Sequence, residues 1–219
     1  MRLTGILANL FGRKNKGTET CRNEIVIVSG LPRSGTSMMM RMLKAGGMPI
    51  LMDGVREANE DNPKGYYEFE RVKGLEHDKA WVKQARGKAV KVISALLEHL
   101  PQGYTYKVVF MERHLDEVLA SQKRMLARQD KPTDSVDDEK MRALFEKHLT
   151  KSRRWLSQQP QMDVLYVSYN EAIEEPAQKS AAVNRFLGGN LDEKAMCEVI
   201  DPTLYRQKTE SDFFCPESF

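Results

Sequence analysis

Chemistry-bearing residues crowd into "GLPRSGTS", Gly30 to Ser37, where two glycines, an arginine and three hydroxyls follow the apolar run "EIVIVSG" and precede a helix-spaced series of methionines. Glycines let a backbone fold around an anion. The first N–H groups of a helix, at its positive dipole end, point at the same spot. This is the pattern of a phosphate loop with one part changed. In a nucleoside-triphosphate loop a lysine after the second glycine pairs with the outer phosphates, and the next hydroxyl holds magnesium. Here Thr36 follows Gly35, and the cation is Arg33, inside the loop. A chain of phosphates would lack its main counter-charge. A single phosphate bearing a sulfonate would not: Ser34, Gly35, Thr36 and Ser37 can supply its N–H and hydroxyl donors, and Arg33 suits its bridging oxygen without a metal. A tight turn with no ligand gives no reason for a loop cation backed by hydroxyls.

A second constellation lies in "VVFMERHLDEVLASQKRML", an apolar strand ending near Arg113, with Ser121 on the helix that follows. A planar fork donor and a hydroxyl near a helix start are groups able to hold an anion. The competing reading is a surface ion pair of Arg113 with Glu112 or Asp116.

The elements that must position these groups alternate in period between strand and helix, which points to an α/β fold with a mostly parallel sheet flanked by helices. "EIVIVSG" is expected to be a strand buried on both faces. "KAVKVIS", "YKVVFME" and "MDVLYVSY" are further strands, and "MPILMDG" is a short additional candidate. Met38, Met39, Met42 and Leu43 predict a helix stopped by Gly46, Gly47 and Pro49. "LDEVLASQKRMLARQ" predicts a helix with Leu115, Val118, Leu119 and Leu126 on one side and Asp116 and Glu117 in its first turn. "KPTDS", 131–135, is a polar break. The next helix should turn Met141, Leu144, Phe145, Leu149 and Trp155 to the core, and "EEPAQKSAAVNRFLGG" is another helix, closed by Gly188 and Gly189. Between "MPILMDG" and "KAVKVIS", "REANEDNPKGYYEFERVKG" is turn-rich before a helical end, as substrate loops are.

With 219 residues, 41% hydrophobic and 30% charged, the chain has the composition of one globular domain. Residues 23–219 are assigned to it and residues 1–22 to a basic, amphipathic extension. That extension is too short in apolar length to span a bilayer and is read as a surface helix rather than a membrane anchor. A net charge of +3 is too weak for wrapping a nucleic acid but suits a small, highly charged anion. Cys21, Cys197 and Cys215 have neither disulfide-framework nor zinc spacing, as expected of reduced cytoplasmic thiols.

Pro32 to Ser37, "PRSGTS", resembles the 5′-phosphosulfate loop of the sulfotransferases that use 3′-phosphoadenosine 5′-phosphosulfate (PAPS), in particular small bacterial members and the protein-tyrosine branch. Arg113 and Ser121 are similar to the family's 3′-phosphate motif. "VSYNEAIEEPAQKSAAVNRFLGG" resembles its closing strand and helix, with Tyr169, Pro176 and Phe186 to Gly188 as scaffold. The resemblance runs in order from Ile25 to Gly189. It implies a P-loop-type parallel sheet, PAPS as donor with 3′-phosphoadenosine 5′-phosphate (PAP) as product, no metal, and a hydroxyl or amine acceptor on a small molecule, glycan or other partner. Arg206 and Lys208 would close over the 3′-phosphate as basic C-terminal segments do in the family. "FFCP" near the end has no reading.

One departure matters. Cytosolic members place a histidine base in a lysine-threonine-histidine segment; "VKVIS", Val90 to Ser94, keeps Lys91 but has Ile93 at the histidine position. Other branches use a glutamate on the substrate side, and Glu57, Glu60, Glu68 and Glu70 are available. Glu68 is favoured because "NPKGYYEFE" is a turn that delivers two tyrosines and a carboxylate. Glu57 is the rival because the tyrosine branch carries its glutamate about twenty residues beyond the loop arginine. His77 is a further contender. A P-loop kinase or nucleotidase with a displaced cation, and a non-catalytic nucleotide-binding protein, are the alternative functions.

Overall fold

A computed structural model describes residues 24–129 and 137–205. The 1–22 extension, the "KPTDS" break, Arg206, Lys208 and "FFCP" lie outside the described residues. The framework is a four-stranded parallel sheet in the order β2-β1-β3-β4, built from β1 (Ile25–Gly30), β2 (Ala89–Lys91), β3 (Tyr106–Glu112) and β4 (Met162–Ser168). Among the described residues six α-helices accompany it: α1 (Thr36–Ala45), α2 (Leu115–Arg128), α3 (Asp138–Leu156), α4 (Tyr169–Glu174), α5 (Pro176–Phe186) and α6 (Glu193–Glu198).

β1 is central and buried along its whole length, which explains its unbroken apolarity. Its side chains alternate between two cores. Ile25 and Ile27 join Trp81, Phe110, Leu97 and Leu156 on one face. Val26 and Val28 join Met39, Met42, Val183 and Met196 on the other. On the second face α1 packs beside α6, close enough that a side chain on Gly46 would run into Met196.

Two expected elements are shorter than their patterns. Of "KAVKVIS" only Ala89–Lys91 pairs as strand, and the chain then turns into a 3₁₀ helix at Ser94–His99. "MPILMDG" contributes one parallel bridge, Ile50 with Ala89, before leaving the sheet. Pro49 has no N–H to extend a ladder, and Gly54 adopts φ 73°. The segment that follows, 51–68, is a strap rather than an element of the sheet, and its expected helical end is a 3₁₀ turn at Glu70–Gly74.

α3 corrects a second expectation. Leu149, Trp155 and Leu156 pack on the first core, but Leu144 is 56% exposed. The residues that reach the core belong to the C-terminal half of the helix, so its apolar periodicity continues beyond the part that covers the sheet. Among the described residues no helix is long and apolar enough to cross a membrane.

Candidate functional site

All four strands end at one edge of the sheet. β1 runs into the glycine loop, β2 ends on Lys91, β3 is followed by Arg113, and β4 by Tyr169. Because β2 and β3 flank β1 on opposite sides, this edge is a topological switch point, where open α/β sheets bind ligands. A cavity of about 250 Å³ lies there, lined by seven arginines and lysines against three acids, Asp61, Glu68 and Asp201. Its surplus of positive charge suits a multiply charged anion.

The loop is held in a shape that only glycines allow at two points. Gly30 and Gly35 have φ of 143° and 96°. A side chain on Gly35 would collide with the ring of Tyr169, which closes over the loop. Arg33 itself adopts φ 74°, a region that costs a non-glycine residue about 1–3 kcal/mol and tends to mark functional sites. Its contacts hold it there: Nε donates to Ser121 Oγ at 2.9 Å, Nη2 donates to the Asp61 carbonyl at 3.1 Å, and its own carbonyl accepts from Arg113 Nη1 at 3.1 Å. Burial lowers its pKa from the ordinary arginine value, with Asp61 opposing the shift; at neutral pH it remains a cation. Arg33, Arg113 and Ser121 are thus one connected group, although the sequence separates Arg33 from Ser121 by 88 positions.

Arg113 pairs with neither acid expected of a surface partner. Its Nε donates to Glu117 Oε2 at 2.7 Å, and both side chains are buried. Glu112 instead takes Arg153, and Asp116 takes Arg142. The Arg113 guanidinium lies 4.5 Å from the centre of the Tyr169 ring and 5.6 Å from that of Tyr205.

Across the cavity, Lys91 donates to Glu68 Oε1 at 3.1 Å, to Ser37 Oγ at 3.4 Å and to the carbonyl of Tyr66. Burial pulls its pKa below the ordinary lysine value, and Glu68 works against that shift. Glu68 also accepts from Arg56 at 3.0 Å, whose guanidinium stacks 3.5 Å from the centre of Tyr66. The strap is tied down at two more places. Asp61 accepts from Arg128 at 2.6 Å, and Lys64 meets Asp201 at 2.6 Å, holding the Asp201 carboxyl at about 2 with help from Thr203.

Of the candidate bases, Glu68 lines the cavity. Glu57 is exposed on the strap and does not line it, and Glu60, beside Arg128, is exposed as well. Glu70 pairs with Lys73, and His77 lies in solvent beside Glu76. Several lining residues were not singled out from sequence. Tyr169, read as scaffold, forms cavity wall, and Arg41, Arg124 and Arg128 line it too. A signal for the last two existed, since Ser121, Arg124 and Arg128 recur at helical spacing. Arg41 had none.

Residues 23–213 match the family described as the sulfotransferase domain. The chain belongs to that family. Sulfuryl transfer is the activity that membership carries, and the phosphoryl-transfer alternative is not favoured. No individually curated protein matches this sulfotransferase. Among solved structures it is similar to a sulfotransferase from Mycobacterium tuberculosis H37Rv, at 15% identity over 88% of this chain and 76% of that one, with a TM-score of 0.48. It is similar to the sulfotransferase domain of the Synechococcus PCC 7002 olefin synthase, at 18% identity over 85% and 84% of the two chains, TM-score 0.45. It is also similar to retinol dehydratase, solved with androsterone and inactive cofactor PAP, at 18% identity over 80% of this chain, TM-score 0.45; it spans 62% of that protein's length.

Proposed function

We propose that this sulfotransferase moves a sulfuryl group from PAPS to a hydroxyl or amine acceptor and releases PAP, with loop 30–37 on the 5′-phosphosulfate, Arg113 and Ser121 on the 3′-phosphate, and Glu68 as base. The supporting observation is that one cationic cavity carries Arg33, Arg113, Ser121 and Glu68 in its wall. The donor set fits PAPS: a glycine loop at a helix N-terminus for one phosphate, a fork donor with a hydroxyl for a second, and a cation surplus for both.

The donor supplies an activated sulfur whose bond to the bridging oxygen breaks as the acceptor oxygen or nitrogen bonds to it. In that step the loop N–H groups, Thr36 and Ser37 hold the phosphate, and Arg33 steadies the charge that develops on the leaving oxygen. Lys91, between Ser37 and Glu68, adds a second cation at the reacting end. Glu68 takes the acceptor proton, and its two cationic neighbours keep the carboxylate oriented. Glu57, exposed on the strap, is the alternative base. Arg206 completes the 3′-phosphate grip in this reading, and thiols without disulfide spacing suit a cytoplasmic enzyme.

A thermal-shift comparison of PAP against ATP with magnesium tests the reading. A ligand that binds only the folded state stabilises it by about 2.7 kcal/mol at a hundredfold excess over its Kd. PAP is expected to raise Tm and ATP with magnesium to leave it nearly unchanged; the reverse would overturn the assignment. Transfer of labelled sulfate to an acceptor panel then separates an enzyme from a protein that only binds the nucleotide.

A further inference from the structure

Glu117 is 1% exposed and carries three donors: Arg113 Nε at 2.7 Å, Asn170 Nδ2 at 2.9 Å and the Tyr205 hydroxyl at 2.7 Å. Asn170 Nδ2 also meets the Tyr205 oxygen at 2.6 Å. These groups come from three parts of the fold: the β3–α2 junction with the first turn of α2, the start of α4, and the segment after the 3₁₀ turn at Pro202–Leu204. A buried carboxylate is costly to desolvate, and an apolar replacement of similar volume is often as stable or more so. The amide of Asn170 is turned toward this carboxylate although its Oδ1 is then left buried without a partner among the described residues, a cost for which packing alone offers no return.

We infer that Glu117, held by Asn170 and Tyr205, is the positioning residue of the 3′-phosphate grip: it sets the plane of the Arg113 guanidinium and does not itself touch the donor. By taking Nε it turns the Nη end of Arg113 toward the Arg33 carbonyl and the cavity, while the Tyr169 ring fixes the guanidinium from its face. A planar fork recognises a phosphate only from a defined orientation. The network also links the C-terminal segment to the grip through the hydroxyl of Tyr205, whose ring faces Arg113 and Tyr169.

The inference rests on the PAPS reading, and PAP and 5′-AMP, which differ only in the 3′-phosphate, separate the two. Calorimetric titration of the unsubstituted protein should show PAP binding more tightly than 5′-AMP; equal affinity there would overturn the donor reading and this inference with it. Given that preference, Glu117→Gln, which keeps shape and removes charge, should weaken PAP by about tenfold or more, the worth of one charge-assisted contact. Affinity for 5′-AMP should stay within about twofold. Equal losses for both ligands, or none for either, would reduce Glu117 to a structural role. If Glu117→Gln does not fold, Tyr205→Phe carries the test: a loss of about threefold confined to PAP supports the inference, and a shared or absent loss overturns it.

Discussion

The two walls of the cavity are built differently. On the side proposed for the donor, the loop and the junction of β3 with α2, Arg33, Arg113 and Ser121 are tied together by part-buried hydrogen bonds beside the Tyr169 ring, backed by the buried Arg113–Glu117 pair. On the other side the strap 51–68 is largely exposed: buried Lys91 and the half-buried Arg128–Asp61 pair tie its inner edge, and exposed pairs, Arg56 to Glu68 and Lys64 to Asp201, tie the rest. Exposed pairs contribute about 0–1 kcal/mol each, whereas breaking a buried, hydrogen-bonded group costs several times more. In the proposed function the more tightly tied wall takes the donor and the looser, more exposed one faces the acceptor.

The comparison breaks most readily at Arg33. Arg33→Ala should cut turnover by about 10² to 10³, the range for losing one preorganised electrostatic stabiliser, measured as release of PAP from PAPS with a working acceptor. Near-normal turnover would remove Arg33 from the reaction. On the strap, Glu68→Gln should lower turnover by about 10² with PAP affinity nearly kept, while Glu57→Gln should stay within about twofold. If Glu57→Gln were the damaging change, the strap would have to rearrange during catalysis.

Gly35→Ala probes the rigidity of the donor wall. Its positive φ and the Tyr169 ring leave no room for a side chain, so about 1–3 kcal/mol of stability should be lost in urea unfolding, together with PAP binding. A stable variant that still binds PAP would mean the wall can yield. The smallest effect belongs to Asp201, whose carboxyl is held at about 2 against an ordinary 3.8. A lowered carboxylate contributes stability that is present above the unfolded value and is lost as pH falls through the folded one. Stability should therefore drop between pH 4 and pH 2 slightly more in the unsubstituted protein than in Asp201→Asn; identical acid limbs would show that the Lys64 tie contributes nothing.

The loop side of the cavity was legible in the sequence because its parts sit at strand ends and within the first two turns of the helices that follow, where short patterns have fixed geometry. Pro32 to Ser37 is such a pattern, and so are Arg113 and Ser121. The strap was not legible in the same way. "REANEDNPKGYYEFE" has no period, so Glu68 could be favoured over Glu57 only on turn composition and not on any fixed geometry. Its conformation follows from contacts with Lys91, Arg128 and Asp201, all more than twenty residues away in sequence. The exposure of Leu144 was hidden for a related reason: helical periodicity records which face is apolar, not how much of the helix has a sheet to cover.

By itself the sequence determined the α/β layer order, the central buried strand and the chemical nature of the loop, because backbone periodicity and glycine conformation are local properties. Only the tertiary structure decided that Arg33 reaches Ser121, that Arg113 is fixed by the buried Glu117 rather than by Glu112 or Asp116, and that Glu68 rather than Glu57 lines the cavity. Those outcomes depend on which strand ends the parallel sheet brings to one edge, and on what each buried charge then finds within hydrogen-bond reach.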